Sequence, residues 1–143
     1  LADLPGWLAA GVPIAIGTDS HVGRDAAEEL RWLDYGQRLA LRRRNVAAAP
    51  EAGQPATAAR LFDAAVHAGA AAAGEPYWGL VEGARADALV VDTRAAPLLG
   101  IPPDRTLDAL VFSSPGAAFR DVLVAGRWAL RDHVHAQQDA VAA

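Results

Sequence analysis

Residues 12–21 read Val-Pro-Ile-Ala-Ile-Gly-Thr-Asp-Ser-His, an apolar run that passes directly into polar side chains. The apolar part, residues 12–17, carries no charge and is bounded by glycines at positions 11 and 17. Such a run is typical of a short strand that is buried on both faces, as in a parallel sheet. The sequence therefore predicts a strand that delivers Asp19 to its carboxyl end.

Asp19 has two interpretations at this point. A carboxylate at the carboxyl end of a barrel strand can bind a divalent metal at about 2.0–2.2 Å and take a proton from the water that the metal activates. An Asp after a strand could instead cap the next helix or close a turn. Ser20 and His21 follow directly, and each could line a pocket, although Ser20 could also bond to backbone in the turn.

A long helix is predicted to begin after Asp25. An Asp at this position can accept from backbone N–H groups, and Glu28 and Glu29 lie at the positive end of the helix dipole. The three arginines at 42–44 lie at the negative end, which is typical of a solvated terminus rather than an anion site. Two apolar stripes have helical spacing, so we expect burial on more than one side. They are Ala26, Leu30, Leu33 and Ala40, and Trp32, Tyr35 and Leu39.

A loop and a second helix are predicted next. Residues 46–54 read as a loop, and a helix opens at Pro55 and continues to about His67, whose side chain we interpret as structural. Gly69 is expected to interrupt the helix, and Gly74 is expected to end it.

The second half of the chain has the apolar period of strands. Residues 87–92 predict a strand, and residues 119–128 predict a hairpin around an Ala125-Gly126 turn. Residues 107–112 predict either another strand or a short helix. The first half is therefore predicted to be α/β and the second mostly β, with a boundary near residue 75.

Composition limits the possible functions. The 143 residues are enough for one ordinary domain but too few for a whole (β/α)₈ barrel, which takes about 250. A net charge of -4 argues against a nucleic-acid partner, and no apolar run approaches the roughly 20 residues that span a bilayer. The absence of cysteine excludes disulfides and thiolate metal sites. We expect a cytoplasmic protein, and the lack of methionine predicts a processed or truncated chain.

The polar run belongs to a longer pattern. Residues 17–20 (Gly-Thr-Asp-Ser), after an apolar strand, resemble the eighth-strand motif of the amidohydrolase superfamily. Residues 28–33 (Glu-Glu-Leu-Arg-Trp-Leu) and 35–38 (Tyr-Gly-Gln-Arg), with Arg44-Asn45, are similar to formimidoylglutamate deiminases in particular. The resemblance runs from about Gly11 to about His135. Its further segments are residues 61–65, 69–70, 79–83, 86–92 and 122–127.

The resemblance implies an α/β plus β fold. Residues 1–75 would be the last strand and following helices of a (β/α)₈ metal-dependent hydrolase barrel. Residues 76–143 would be the carboxy-terminal part of a small β-sandwich domain built from both chain ends.

The resemblance also implies a site. It assigns Asp19 as metal ligand and proton acceptor, with one divalent metal, expected to be zinc. The family's other ligands, a His-x-His pair and a further His, would lie outside this chain. His133 and His135 spell His-x-His, but they fall on a predicted last strand with a solvent-facing alternation.

The activity implied is hydrolysis of N-formimino-L-glutamate to N-formyl-L-glutamate and ammonia, a step of histidine degradation. The partners implied are a small-molecule substrate and the missing amino-terminal part of the same enzyme, with a homodimeric parent and no activity in the fragment alone. Two alternatives stay open. One is another amidohydrolase of the aminopyrimidine, guanine or chlorotriazine type, and the other is a non-catalytic truncated module.

Overall fold

The computed structural model describes residues 2–20, 22–113 and 119–142. Within these ranges the chain forms helices that pack together and a small sheet. The helices are α1 (Leu4–Ala9), α2 (Ala26–Leu41), α3 (Thr57–Ala72), α4 (Thr106–Phe112) and α5 (Gln138–Ala142). The strands are β1 (Ala88–Val91), β2 (Phe119–Val124), β3 (Arg127–Arg131) and β4 (Val134–His135). Single turns of 3₁₀ helix lie at Pro50–Ala52, Ala96–Leu98 and Pro103–Arg105.

The start of α2 follows the predicted capping signal. The Asp25 side chain accepts a hydrogen bond of 2.9 Å from the backbone N–H of Ala27, and two glutamates occupy the first turn. The helix ends at Leu41, because Arg42 adopts a left-handed conformation with φ 52°. The predicted helix start is therefore confirmed.

The core is formed where α1, α2, α3 and α4 meet. Its members are mostly leucine and alanine, so the helices approach closely around a small apolar volume. The buried cluster consists of Leu4, Ile14, Leu30, Ala47, Ala58, Leu61, Ala65 and Val111.

Residues 12–17 form no strand in this structure, which differs from the sequence prediction for this segment. Ile14 is buried in the helical core and Ile16 packs against it, while Val12, Pro13 and Ala15 are exposed. A strand is defined by hydrogen bonds to a neighbouring strand, and none of the described strands pairs with these residues. The segment is therefore held by a backbone hydrogen bond of 2.9 Å at its start, from the N–H of Val12 to the carbonyl of Trp7, and by the side chains of Ile14 and Ile16.

The helix α3 begins and continues differently from the sequence expectation. It starts at Thr57 rather than Pro55, and it passes through Gly69 without a break to Ala72. A single glycine in a helix interior costs only about 1 kcal/mol relative to alanine. The alanines on either side of Gly69 have the highest helix propensity, so the helix continues. Gly74 has φ +74° and lies just beyond the helix end, as predicted.

For residues 107–112 the sequence predicted either a strand or a short helix. They belong to the short helix α4, which packs on α2 and α3. The N-cap of α3, Ala56, has no capping side chain. Instead, the Asp108 carboxylate of α4 accepts a hydrogen bond of 3.3 Å from the backbone N–H of Ala58. Arg31 of α2 donates to the carbonyl of Val111 at 3.1 Å. Both contacts tie α4 to the helices that precede residue 75.

The sheet is antiparallel with strand order β1-β2-β3-β4. The β2–β3 turn places Ala125 at φ 49° and Gly126 at φ 75°, the two positive values that a type I′ hairpin turn requires. The Asp87 carboxylate accepts from the backbone N–H of Ala125 at 2.6 Å. The predicted hairpin is thus confirmed.

The β3–β4 connection is a second tight turn. Asp132 and His133 both have positive φ, at 49° and 65°. The expectation that His133 lies on the last strand is therefore wrong, because the chain reverses at this residue. His135 does lie on β4, and both imidazoles are exposed.

The cap that Asp108 supplies to α3 should be measurable. Replacing Asp108 with alanine should lower the free energy of unfolding by about 0.5–2 kcal/mol, the range for loss of a capping oxygen. Asp108→Asn should retain most of the free energy of unfolding, because the amide oxygen can accept the same hydrogen bond. Urea unfolding followed by far-ultraviolet circular dichroism gives the values.

Asp104→Ala is the matched control, because Asp104 and Asp108 both lie 3.6 Å from the Arg105 guanidinium and only Asp108 reaches Ala58. The control should change the free energy by less than about 0.5 kcal/mol. Equal losses in the two alanine variants would contradict a capping role.

Candidate functional site

Asp19 stands at the end of the extended segment. Ile14 and Ile16 hold that segment on the core, and the chain turns at Asp19 and Ser20, where Asp19 has φ 45°. Asp is one of the few residue types other than glycine that adopts this left-handed conformation readily. Both side chains are exposed. The third predicted site residue, His21, lies outside the described residues.

The described residues do not form a complete metal site. They contain no group of three or more His, Cys, Asp or Glu side chains that could hold a metal ion. A catalytic zinc needs three protein ligands and an open position. The described part of the chain therefore does not fit a whole zinc centre, and Asp19 could serve only as one ligand among others from outside it.

Each of the three described histidines contacts a protein group, two of them near in sequence and one far from it. On α3, the Nδ1 atom of His67 lies 2.8 Å from the carbonyl oxygen of Asp63. His133 Nε2 lies 3.2 Å from a carboxylate oxygen of Asp92, and His135 Nδ1 accepts from the N–H of Gln137 at 3.1 Å. These contacts fit side chains that stabilise helix and turn geometry.

Asp34 on α2 is a buried carboxyl that the sequence did not single out. It is 1% exposed, and its Oδ1 atom has no hydrogen-bond partner. Desolvation raises the pKa of Asp34 above its ordinary value, and the Arg38 guanidinium, 3.8 Å from Oδ2, partly opposes the rise. The effect of burial on the pKa of Asp34 is therefore larger than the effect of the arginine.

Asp121 on β2 is a second buried carboxyl, and its pKa moves in the opposite direction. One oxygen accepts from the backbone N–H of Asp132 and the other from Arg120 Nε, both at 2.8 Å. The Asp132 N–H, and then Arg120, lower the pKa of Asp121. Because Asp132 lies in the β3–β4 turn, we interpret Asp121 as the group that fixes this turn. The sequence signal that could have found it is the Arg-Asp pair on the predicted hairpin.

An open cavity of about 620 Å³ lies at the carboxyl end of α3. It is lined by His67, Ala70, Ala71, Gly74, Glu75, Pro76, Tyr77, Trp78 and Val81. Asp19 is not among these residues, so the cavity and the predicted catalytic carboxylate are separate features.

Across the described residues, no helix combines the length and the apolar character that crossing a membrane requires.

The helices and the sheet match part of a known class of protein. The crystal structure of an amidohydrolase from Brucella melitensis superimposes with a TM-score of 0.84 and 37% sequence identity, covering 98% of this chain and 30% of that one. The chain thus has the fold of a segment of an amidohydrolase.

A curated relative gives a narrower match. Formimidoylglutamate deiminase from Pseudomonas aeruginosa is 44% identical over 133 residues, which are 93% of this chain and 29% of that protein. No family model matches the chain. The two comparisons confirm the resemblance inferred from the sequence, and the chain spans less than a third of the length of either protein.

The raised pKa of Asp34 predicts a pH-dependent stability. Because the folded pKa lies above the unfolded value of about 3.9, the destabilisation is absent below that pH and grows as the pH rises toward the folded pKa. Asp34→Asn should therefore raise the urea midpoint near pH 7 and leave it unchanged near pH 3. The exposed control Glu51→Gln should shift neither midpoint. A lower midpoint for the Asp34 variant at neutral pH would contradict this reasoning.

The incomplete ligand set predicts weak metal binding. The 143-residue chain, equilibrated with zinc and freed of excess metal, should retain far less than one zinc per chain by elemental analysis, because a stable site needs several protein ligands. One firmly held zinc per chain would contradict this expectation.

Proposed function

We propose that this chain is the carboxy-terminal part of an enzyme that hydrolyses N-formimino-L-glutamate to N-formyl-L-glutamate and ammonia. The supporting observation is the 44% identity to a formimidoylglutamate deiminase over 93% of the chain. The reaction would be a step of histidine degradation in the cytoplasm. The chain on its own would be inactive, because it spans less than a third of the relative.

In this proposal residues 1–75 complete a (β/α)₈ barrel and residues 76–143 complete a β-sandwich. The segment 12–17 would then be the last barrel strand, formed once neighbouring strands are present. Its alternation supports this role, because Ile14 and Ile16 face the helices while Pro13 and Ala15 face outward. The four-stranded antiparallel sheet would be the chain's contribution to the sandwich. Among the described residues after 76, the helix α4 packs on α2 and α3.

Asp19 would act in proton transfer. Water adds to the formimino carbon, the bond to the terminal nitrogen breaks, and ammonia leaves while the formyl group stays on the glutamate. A carboxylate beside the reacting carbon can take the proton from the attacking water and return it to the departing nitrogen. Asp19 suits this role, because it is exposed at the end of a segment anchored in the core. Ser20 and His21 would lie beside it at the substrate.

A divalent metal, expected to be zinc, would require ligands from the remainder of the enzyme in addition to Asp19. Such a metal supplies an activated water, since it lowers the pKa of a bound water to about 7. The parent enzyme would be a homodimer. The alternative of a non-catalytic module agrees with the lack of a three-ligand group among the described residues, and a deiminase assay of the full-length protein separates the two.

The test is Asp19→Asn in the full-length enzyme. Loss of the proton acceptor should lower kcat by at least about 10²–10⁴-fold, the contribution of a general base, while circular dichroism stays unchanged. Ammonia release from N-formimino-L-glutamate is the measurement.

Asp63→Asn is the control, because Asp63 is an exposed carboxylate on α3 whose contact is with His67. It should keep nearly full activity. Near-normal turnover in the Asp19 variant would contradict the proton-transfer role of Asp19. A lack of deiminase activity in the unmodified full-length enzyme would contradict the proposed substrate.

A further inference from the structure

The outward face of α2 carries an uncovered apolar stripe. Trp32 is 64% exposed and Leu39 is 80% exposed. They lie seven positions apart, which places them on one face of the helix two turns from each other. Gly36 lies between them, and Ala40 beside Leu39 is also exposed. The four residues therefore form one contiguous surface, which we call the α2 outer face.

The other sides of α2 are already occupied. Leu30 belongs to the core cluster, and Gln37 is buried. On the side toward α4, the ring of Tyr35 stacks on Phe112 with centroids 5.9 Å apart. Of the two stripes that the sequence placed on this helix, the second is thus only partly covered by the described residues.

Two features of the α2 outer face would allow another element to cover it. Trp32 donates its indole N–H to a carboxylate oxygen of Glu28 at 3.4 Å. Because this donor already has a partner, an apolar surface could cover the ring without leaving the N–H unsatisfied. Gly36 has no side chain, and a glycine in a helix interior costs about 0.5–1 kcal/mol relative to alanine. That cost is offset where another element packs closely against the helix at this point.

We propose that the α2 outer face binds the amino-terminal remainder of the same enzyme. This inference rests on the proposed function only in taking the chain as part of a longer protein. More than two thirds of both similar proteins lies outside the matched region, so a large polypeptide is available to cover the face. It is joined covalently to this chain, which gives it an advantage over a second copy that must associate from solution.

These 143 residues contain no cysteine, so a thiol introduced among them can be followed in the full-length enzyme through its own peptide. A thiol introduced as Leu39→Cys is treated with a maleimide, and modification of its peptide is followed by mass spectrometry. In the native enzyme it should react at least about tenfold more slowly than in urea, a ratio that corresponds to about 1.4 kcal/mol. Ala40→Cys tests the same face, in case the first variant folds poorly.

Leu99→Cys is the matched control. Leu99 is an exposed leucine outside the helices, and its thiol should react at similar rates in native enzyme and in urea. Native labelling at position 39 as fast as at position 99 would overturn the proposal. Protection at 39 that disappears when the enzyme is diluted to monomers would also overturn it, because a second copy would then cover the face.

Deiminase activity measured on the same preparations separates this proposal from the proposed function. A protected thiol in a protein without deiminase activity supports the packing surface and rejects only the substrate. An active enzyme whose position 39 reacts freely rejects only the packing surface.

Discussion

Ile14 is the contact that connects the extended segment to the rest of the chain. It is buried among leucines and alanines of the helices, and the next residue with the same orientation, Ile16, packs beside it. No described strand pairs with the segment, and its backbone hydrogen bond to the helix α1, from the N–H of Val12 to the carbonyl of Trp7, lies at its start, seven residues before Asp19. The position of Asp19, three residues beyond Ile16, therefore depends on side-chain packing. Such packing is worth roughly 1.5–3 kcal/mol for a buried isoleucine.

The features that the sequence predicted correctly are determined by near neighbours. The cap of α2 needs only Asp25 and the amides that follow it, and the β2–β3 hairpin needs only two residues with positive φ. Both were found because their causes lie within a few positions. The strand at 12–17 was predicted from its composition, but strand formation also requires a hydrogen-bonded partner, and none of the described strands is one. The apolar pattern shows that a segment is compatible with a strand, but the strand forms only when a neighbouring strand supplies the backbone hydrogen bonds.

Long-range polar contacts were not predictable in this way. The cap of α3 comes from Asp108, which accepts a hydrogen bond from the backbone N–H of Ala58, 50 positions away. Asp121 and Asp34 are both buried aspartates, yet their pKa values move in opposite directions. The difference is in their partners, since Asp121 accepts from a backbone amide and an arginine while Asp34 has one oxygen without a partner. Sequence alone identifies the carboxylates but not which hydrogen bonds they accept. The role of Asp19 could be predicted only through the resemblance to a family.

The distribution of apolar volume agrees with the proposal that this chain packs against further polypeptide of a longer enzyme. The buried core is made of leucine, alanine, valine and one isoleucine, whereas all four tryptophans are at least 40% exposed. Tryptophan contributes the largest apolar area of any side chain, and a chain that folds alone gains most stability by burying it. Single exposed apolar residues are ordinary, but here the largest side chains are consistently on the outside. This arrangement is physically reasonable if small residues bring the helices together and the large ones pack against a larger body. The matched segments of the amidohydrolase and of the deiminase are joined to such a body, since each is less than a third of its protein.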